Sequence, residues 1–216
     1  KSAQIRNYGH TTVFASEKSG AAVIAATSAM KFGSGLTTLL KTCTSNLEQF
    51  KISPELMVAQ KIPEKTSAIV IGSGLGTEPS AINTNIELLT EWFKNAKNPS
   101  VVIDADLIKY EGLPELLQEL NKVPDARIVL TPHLSELSFF LENLKNKKLI
   151  SIDDCSTKAL GESAELRINA GKQLNRLFSK TTVIMKSANT IIAGEGECFI
   201  SCDGVQSLAK GGSGDV

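Results

Sequence analysis

The stretch Ala68-Ile69-Val70-Ile71-Gly72-Ser73-Gly74-Leu75-Gly76-Thr77 sets the fold class of this chain. Ala68 to Ile71 is a fully apolar strand, and the three glycines that follow end it in a sharp turn. Beyond the turn, Ala81 to Lys94 places Ile82, Ile86, Leu89 and Phe93 at helical spacing. Strand, glycine turn and helix together form half of a βαβ unit, the repeating piece of parallel sheets. Taken alone, a Gly-x-Gly-x-Gly string is more often a tight turn than a phosphate loop. Its Glu78-Pro79 continuation lacks the Lys-Ser/Thr of a P-loop, and its spacing is not that of a dinucleotide fingerprint, which disfavours both of those folds.

Working outward, the same alternation recurs. Thr11 to Ser16 is a β-prone run; Ala21 to Phe32, rich in small residues and closed by Gly33, reads as a helix packed tightly on a sheet. Leu36 to Thr42 is a second strand and Glu55 to Ala59 a third, with a weak helical turn between them. Downstream, Val101 to Ile103 is a strand that delivers Asp104 and Asp106 at its C-terminal end, where open parallel sheets gather ligands. One of these aspartates is expected to cap the next turn and the other to face a polar ligand or hydrated metal. A helix over Pro114 to Lys122 leads to a buried strand, Arg127 to Leu130.

That strand runs into Thr131-Pro132-His133-Leu134-Ser135-Glu136. Thr131 as N-cap and Pro132 as the first helical residue start a helix, and His133 and Glu136 are then expected to present an imidazole and a carboxylate on neighbouring faces at the ligand edge. Lys145 to Asp154 begins with charge and reads as an exposed connection; Ala164 to Phe178 is an amphipathic helix. Thr182 to Lys186 is a buried strand, and Asn189 to Ala193 with Cys198 to Ser201 form a hairpin around Gly194-Glu195-Gly196.

Composition sets limits on partners. Lys and Arg number 23, equal to Asp and Glu, so the net charge is zero and bulk electrostatics draws the chain neither to nucleic acid nor to an anionic membrane. Anion binding must be local. No apolar stretch is long enough to span a bilayer. The cysteines, Cys43, Cys155, Cys198 and Cys202, are too sparse for a disulfide framework and fit a reducing compartment; Cys198 and Cys202 lie in a strand-like segment and are too far apart to share a zinc. With only His10 and His133 to complement them, zinc is not expected.

The final six residues, Gly211-Gly212-Ser213-Gly214-Asp215-Val216, are the candidate for the chemistry. Glycines around a small hydroxyl residue let several backbone N–H groups converge on a phosphoryl oxygen, and the adjacent Asp215 carboxylate suits a base that takes a proton from an attacking hydroxyl. The same six residues also read as a flexible tail, and the helix expected to complete such an anion site would follow Val216.

Taken in order, Gly20-Ala21-Ala22, Gly72 to Gly76, Asp104-Ala105-Asp106, Thr131-Pro132-His133 with Glu136, Lys186 with Ala188-Asn189-Thr190, and Gly211 to Asp215 resemble the NAD(P)H-hydrate dehydratase family of the ribokinase-like superfamily. His133, where small-molecule kinases of that superfamily usually carry Asn, is similar to the ADP-dependent bacterial branch. The resemblance implies a three-layer α/β/α ribokinase-like fold whose central, mainly parallel sheet is flanked by helices, with a β-hairpin near its C-terminal end, over residues 1–216 as one domain. C-terminal helices would follow, and an N-terminal epimerase domain could precede it. It implies a hydro-lyase that restores the S-form hydrate of NADH or NADPH with ADP as phosphoryl donor, ATP being the alternative, and with Mg²⁺. By the same resemblance Asp215 is catalytic and Gly211, Gly212, Ser213 and Gly214 form the anion hole. Lys186, Ser187, Ala188, Asn189, Thr190 and Gly214 would contact the adenosine nucleotide. Ala21, Ala22, Gly74, Gly76, His133 and Asp215 would line the hydrate site. Glu136, through water, and Asp106 would hold the metal. A cytoplasmic homotetramer is implied as well. Two stretches depart from the family pattern: Ala15-Ser16-Glu17-Lys18, where a Gly-Gly or Ala-Gly pair is usual, and Lys186-Ser187, where Lys-Gly is usual. A kinase for a small alcohol such as a vitamin precursor, or a nucleotide-binding domain without turnover, would share these motifs.

Overall fold

The structure is a computed structural model that describes residues 8–76 and 78–201. These divide into two compact units at Val102 and Ile103, within the strand Ser100–Ile103.

In the first unit, β1 (His10–Ala15), β2 (Leu36–Lys41), β3 (Met57–Ala59) and β4 (Ala68–Ile71) are all parallel, in the order β3-β2-β1-β4. Val13 lies opposite both Leu39 and Val70, so β1, flanked on both sides, carries the most buried residues. Helix α1 (Ser19–Lys31) buries Ser19, Ala22 and Ala26, small residues at i, i+3 and i+7 that let its backbone approach β1 and β2 closely. The core there is Val13, Ala15, Ala22, Ala26, Leu39, Leu47 and Leu56. Two buried hydroxyl contacts tie β1 to its neighbours: His10 Nε2 with Thr38 Oγ1 of β2 at 2.8 Å, and Thr12 Oγ1 with Thr66 Oγ1, just ahead of β4, at 2.8 Å.

Helix α2 (Pro79–Asn95) begins with Pro79 after Glu78, whose carboxylate accepts from Ser80 N–H. Its buried stripe is Ala81, Asn85, Leu89 and Phe93, one residue off the predicted Ile82 and Ile86, which are half-buried. Asn85, fully buried, donates from Nδ2 to Ser16 Oγ at 3.3 Å. A polar residue therefore takes the inward place that hydrophobicity assigned to its neighbours.

In the second unit, β6 (Arg127–Leu130) runs parallel to β7 (Thr181–Met185), and β8 (Thr190–Gly194) and β9 (Glu197–Ser201) follow antiparallel, in the order β6-β7-β8-β9; β5 is Ser100–Ile103. The expected C-terminal hairpin is therefore present, turning at Glu195 and Gly196, both at positive φ, as a two-residue hairpin loop requires. Its first strand starts at Thr190 rather than Asn189. Helix α3 is Leu113–Asn121, α4 Leu134–Asn146, α5 Thr157–Glu162 and α6 Ala164–Leu177. A Cβ on Gly171 of α6 would meet Ala193 Cβ at 2.6 Å, so only glycine allows the helix this close to β8.

The segment from Lys145 to Asp154 departs from the expected exposed connection. Helix α4 continues to Asn146, Ile150 and Ile152 are buried, and α5 follows, capped by Ser156 Oγ accepting from Ala159 N–H. The charged start of the segment hides two isoleucines that anchor it. Among the described residues no helix is long and apolar enough to cross a membrane.

Candidate functional site

Polar side chains gather at the C-terminal ends of the strands of the second unit. Asp104 follows β5 directly and is only 6% exposed. Its Oδ1 accepts a hydrogen bond from Thr131 Oγ1 at 2.6 Å and an ion-pair contact from Lys186 Nζ at 3.0 Å. Thr131 leaves the end of β6 and Lys186 the end of β7, and the two strand exits are tied together by Lys186 N–H donating to Pro132 O at 2.8 Å. A buried carboxylate beside an ammonium is stable only where both are held in position, and here three strand ends hold them.

Next to this pair stands His133, the N-cap of α4. Its Nδ1 accepts from Glu136 N–H at 3.3 Å and from Ser135 Oγ at 2.9 Å, while its backbone N–H donates to Glu136 Oε2 at 2.9 Å. A ring nitrogen that accepts leaves the other to donate, and Nε2 sits 2.9 Å from Glu136 Oε1. Glu136 is 4% exposed, with both oxygens turned to His133, whose ring remains about half exposed. This capping box overturns the expected start of the helix. Thr131 is not the cap, because its hydroxyl is committed to Asp104, and Pro132 lies before the helix, so the imidazole takes the capping role. His133 and Glu136 are consequently partners of each other rather than two groups facing outward on neighbouring faces.

After Lys186, Ser187 Oγ donates to Asn189 O at 2.7 Å and Thr190 Oγ1 to Ser187 O at 3.2 Å, a compact turn that exposes Ala188 and Asn189. Ala105, between the two aspartates, has φ +50, and Asp106 lies in the first turn of the 3-10 helix Ala105–Lys109. Asp104 forms no side-chain cap there; it turns instead to Thr131 and Lys186.

In the first unit, Gly72, Gly74 and Gly76 all have positive φ, and the turn between β1 and α1 lies over them. Lys18 N–H donates to Gly74 O at 2.9 Å, and Lys18 backbone and Cβ atoms occupy the space a side chain at 74 would need. Glu17 does the same over Gly76. Ala22 is fully buried in the core, whereas Ala21 keeps accessible surface.

The sequence profile of the carbohydrate-kinase-like family described as NAD(P)H-hydrate dehydratase matches residues 15–216, which takes in every one of these positions. The chain belongs to that family. A bifunctional NAD(P)H-hydrate repair enzyme of Helicobacter pylori is 32% identical over 219 residues, covering 100% of this chain and 40% of that protein. An ADP-dependent (S)-NAD(P)H-hydrate dehydratase of Neisseria meningitidis is 28% identical, covering 92% of this chain and 62% of that one. The chain thus spans less than two thirds of either relative. A solved ribokinase-like superfamily protein from Enterococcus faecalis superposes with a TM-score of 0.67 over 99% of this chain and 69% of its own, at 21% identity, which establishes the ribokinase-like fold.

Within this dehydratase-family chain the predicted residues fall into three sets. Lys186, His133, Glu136 and Asp104 stand at the strand ends of the second unit, and Ala21, Gly74 and Gly76 meet around the β1–α1 turn of the first. Gly211 to Asp215, which hold the predicted base and anion hole, lie outside the described residues. Two arrangements went unread in the sequence: the Asp104–Lys186 pair, whose members are 82 residues apart, and the capping box, which Glu136 three residues after His133 could have signalled had histidine been considered as a cap. Among the described residues no three His, Cys, Asp or Glu side chains form a metal-binding group.

Proposed function

We infer that this chain repairs hydrated NADH or NADPH, using ADP as the phosphoryl donor. The observation that carries this reading is the polar cluster of Asp104, Thr131, His133, Glu136 and Lys186 at the strand ends, held in a chain whose family profile extends through Gly211 to Asp215. The ADP-dependent name of the Neisseria relative supports the choice of donor.

Hydroxide is a poor leaving group at neutral pH, so the hydrate's hydroxyl must first be made a better one. Asp215 takes its proton as the oxygen attacks the terminal phosphoryl group of ADP; the new O–P bond forms and AMP departs. The backbone amides of Gly211, Gly212, Ser213 and Gly214 stabilise the oxygens in transfer. The C–O bond then breaks with the ring-nitrogen electrons assisting, phosphate leaves, and loss of a neighbouring ring proton restores the dihydropyridine. Lys186, fixed by Asp104, offers a cation to the nucleotide, and the turn through Ser187, Ala188, Asn189 and Thr190 borders the adenosine. Ala21, Gly74 and Gly76 of the first unit, and His133 of the second, are the residues we assign to the hydrate.

Mg²⁺, when bound, neutralises charge on the phosphoryl oxygens. Both Glu136 oxygens already accept from His133, and each keeps a second lone pair, so Glu136 fits contact with a metal-bound water better than direct ligation. A homotetramer, a cytoplasmic location and a fused epimerase domain go with the same reading; the bifunctional name of the Helicobacter relative supports the last.

The test is absorbance of the reduced nicotinamide after mixing protein, hydrated NADH, Mg²⁺ and either ADP or ATP. Recovery of NADH with AMP and phosphate, faster with ADP, is expected. Asp215→Asn should lower turnover by at least about a thousandfold while ADP binding persists. A stable phosphate ester as product would overturn the reading in favour of a small-molecule kinase.

A further inference from the structure

The turn between β1 and α1 is fastened at both ends. Ser16 Oγ accepts from Asn85 Nδ2 at 3.3 Å and from Thr42 Oγ1 at 3.2 Å, and Ser19 Oγ donates to Ser16 O at 2.6 Å. Ser19 and Asn46 exchange two further bonds, Ser19 N–H to Asn46 Oδ1 at 3.2 Å and Asn46 N–H to Ser19 Oγ at 3.1 Å. Ser16 and Ser19 are buried, and between them only Glu17 and Lys18 are exposed. The turn therefore has little freedom, and the backbone that carries Glu17 is held in place. A Cβ on Gly76 would lie 3.0 Å from Glu17 Cδ and nearer still to Oε2. No ion pair to Glu17 exists among the described residues.

This places a carboxylate with no ion-pair partner among the described residues against a loop of positive-φ glycines and just ahead of the first turn of α1. Both of those features attract anions when left open. A carboxylate at this position opposes that attraction.

We propose that Glu17 sets the charge selectivity of the hydrate subsite, favouring NADH hydrate over NADPH hydrate. The proposal rests on the function inferred above. The two substrates differ by one phosphate carrying about 1.5 to 2 negative charges, and a carboxylate on this held backbone penalises the more anionic of them wherever the phosphate lies within a Debye length, about 10 Å at 0.1 M salt.

Glu17→Gln keeps the bulk over Gly76 and removes only the charge. The ratio of kcat/KM for NADPH hydrate to that for NADH hydrate should rise about tenfold in this variant at low ionic strength. In the wild-type protein the same ratio should climb with added salt, and in Glu17→Gln it should stay nearly flat. A ratio within twofold of wild type overturns the proposal. Glu17→Gly, which removes bulk as well, should shift the ratio the same way; a shift in Glu17→Gly alone would assign the effect to space and overturn the role of charge. Equilibrium binding of NADPH and NADH themselves, read by nicotinamide fluorescence, needs no turnover. If the wild-type protein dehydrates neither hydrate, the inferred reaction fails, and the binding ratio decides on Glu17 by the same criteria. Binding of neither dinucleotide overturns both.

Discussion

At the scale of single residues, Asp104 and Lys186 show how one charged pair can tie strand ends together. Asp104 is 6% exposed and the Lys186 side chain 28%. Removing the ammonium takes the compensating charge from a carboxylate that water can hardly reach, and such losses cost more than the pair itself contributes. Lys186→Met should therefore lower stability by about 1–3 kcal/mol, read as a shifted urea midpoint with an unchanged slope. Asp104→Asn in the same chain should recover part of it, with a coupling of about 1 kcal/mol in a double-mutant cycle. Additive losses would mean that the two side chains do not sense each other. His133 illustrates a different economy: one residue caps α4, orients Glu136 and still leaves its ring half exposed. In the sequence only Glu136, three residues on, hints at this role, because the role depends on the helix starting one residue after His133.

At the scale of elements, the second unit owes one of its joints to Arg167 of α6. This side chain is 3% exposed, and its Nη1 donates to Leu160 O and, at 3.4 Å, to Gly161 O, carbonyls in the last turn of α5. A cation at a helix C-terminus satisfies carbonyls that have no partner within the helix and opposes the negative end of the dipole. Burial pulls the guanidinium below its ordinary pKa, yet arginine stays charged at any physiological pH. Arg167→Ala should cost about 2 kcal/mol, and hydrogen exchange should quicken across Thr157–Glu162 before the rest of the unit. Arg167→Met, which keeps the packing of the stem, should lose less in total while leaving α5 equally frayed. The exposed connection predicted over Lys145 to Asp154 failed at this scale too, because Ile150 and Ile152 are spaced two apart among charges and their burial depends on neighbours that local periodicity does not name.

For the molecule as a whole, the balance of 23 basic and 23 acidic residues leaves pH sensitivity to a few particular groups. Burial lowers the pKa of His10, whose Nε2 meets Thr38 Oγ1. The sign follows from linkage: above about pH 6.5 the histidine is neutral in both states and costs nothing. As the pH falls below that value the unfolded chain takes up a proton that folded His10 resists, so stability drops until folded His10 is protonated as well. His10→Gln should flatten the fall in melting temperature between about pH 6.5 and pH 5, compared with the wild-type protein over the same range. An unchanged slope would place the sensitivity elsewhere. Glu115, lowered mainly by its hydrogen bond to Lys147, acts in a separate and more acidic window. Its contribution is present above the ordinary glutamate pKa and lost below it, and is small because the pair is exposed.

The sequence by itself determined the alternation of strand and helix, the glycine turn after β4, the hairpin at β8 and β9, and the positions at strand ends where polar residues collect. It could do so because hydrophobic period, glycine at positive φ and turn chemistry are local properties that a few consecutive residues express. Tertiary structure alone decided that Asn85 rather than Ile86 faces inward, that Thr131 serves Asp104 and leaves the cap to His133, that Lys186 reaches Asp104, and that Glu17 rests on Gly76. Each of those outcomes brings together residues from different elements, and whether they meet depends on where the packed backbone carries them, which no stretch of neighbouring residues encodes.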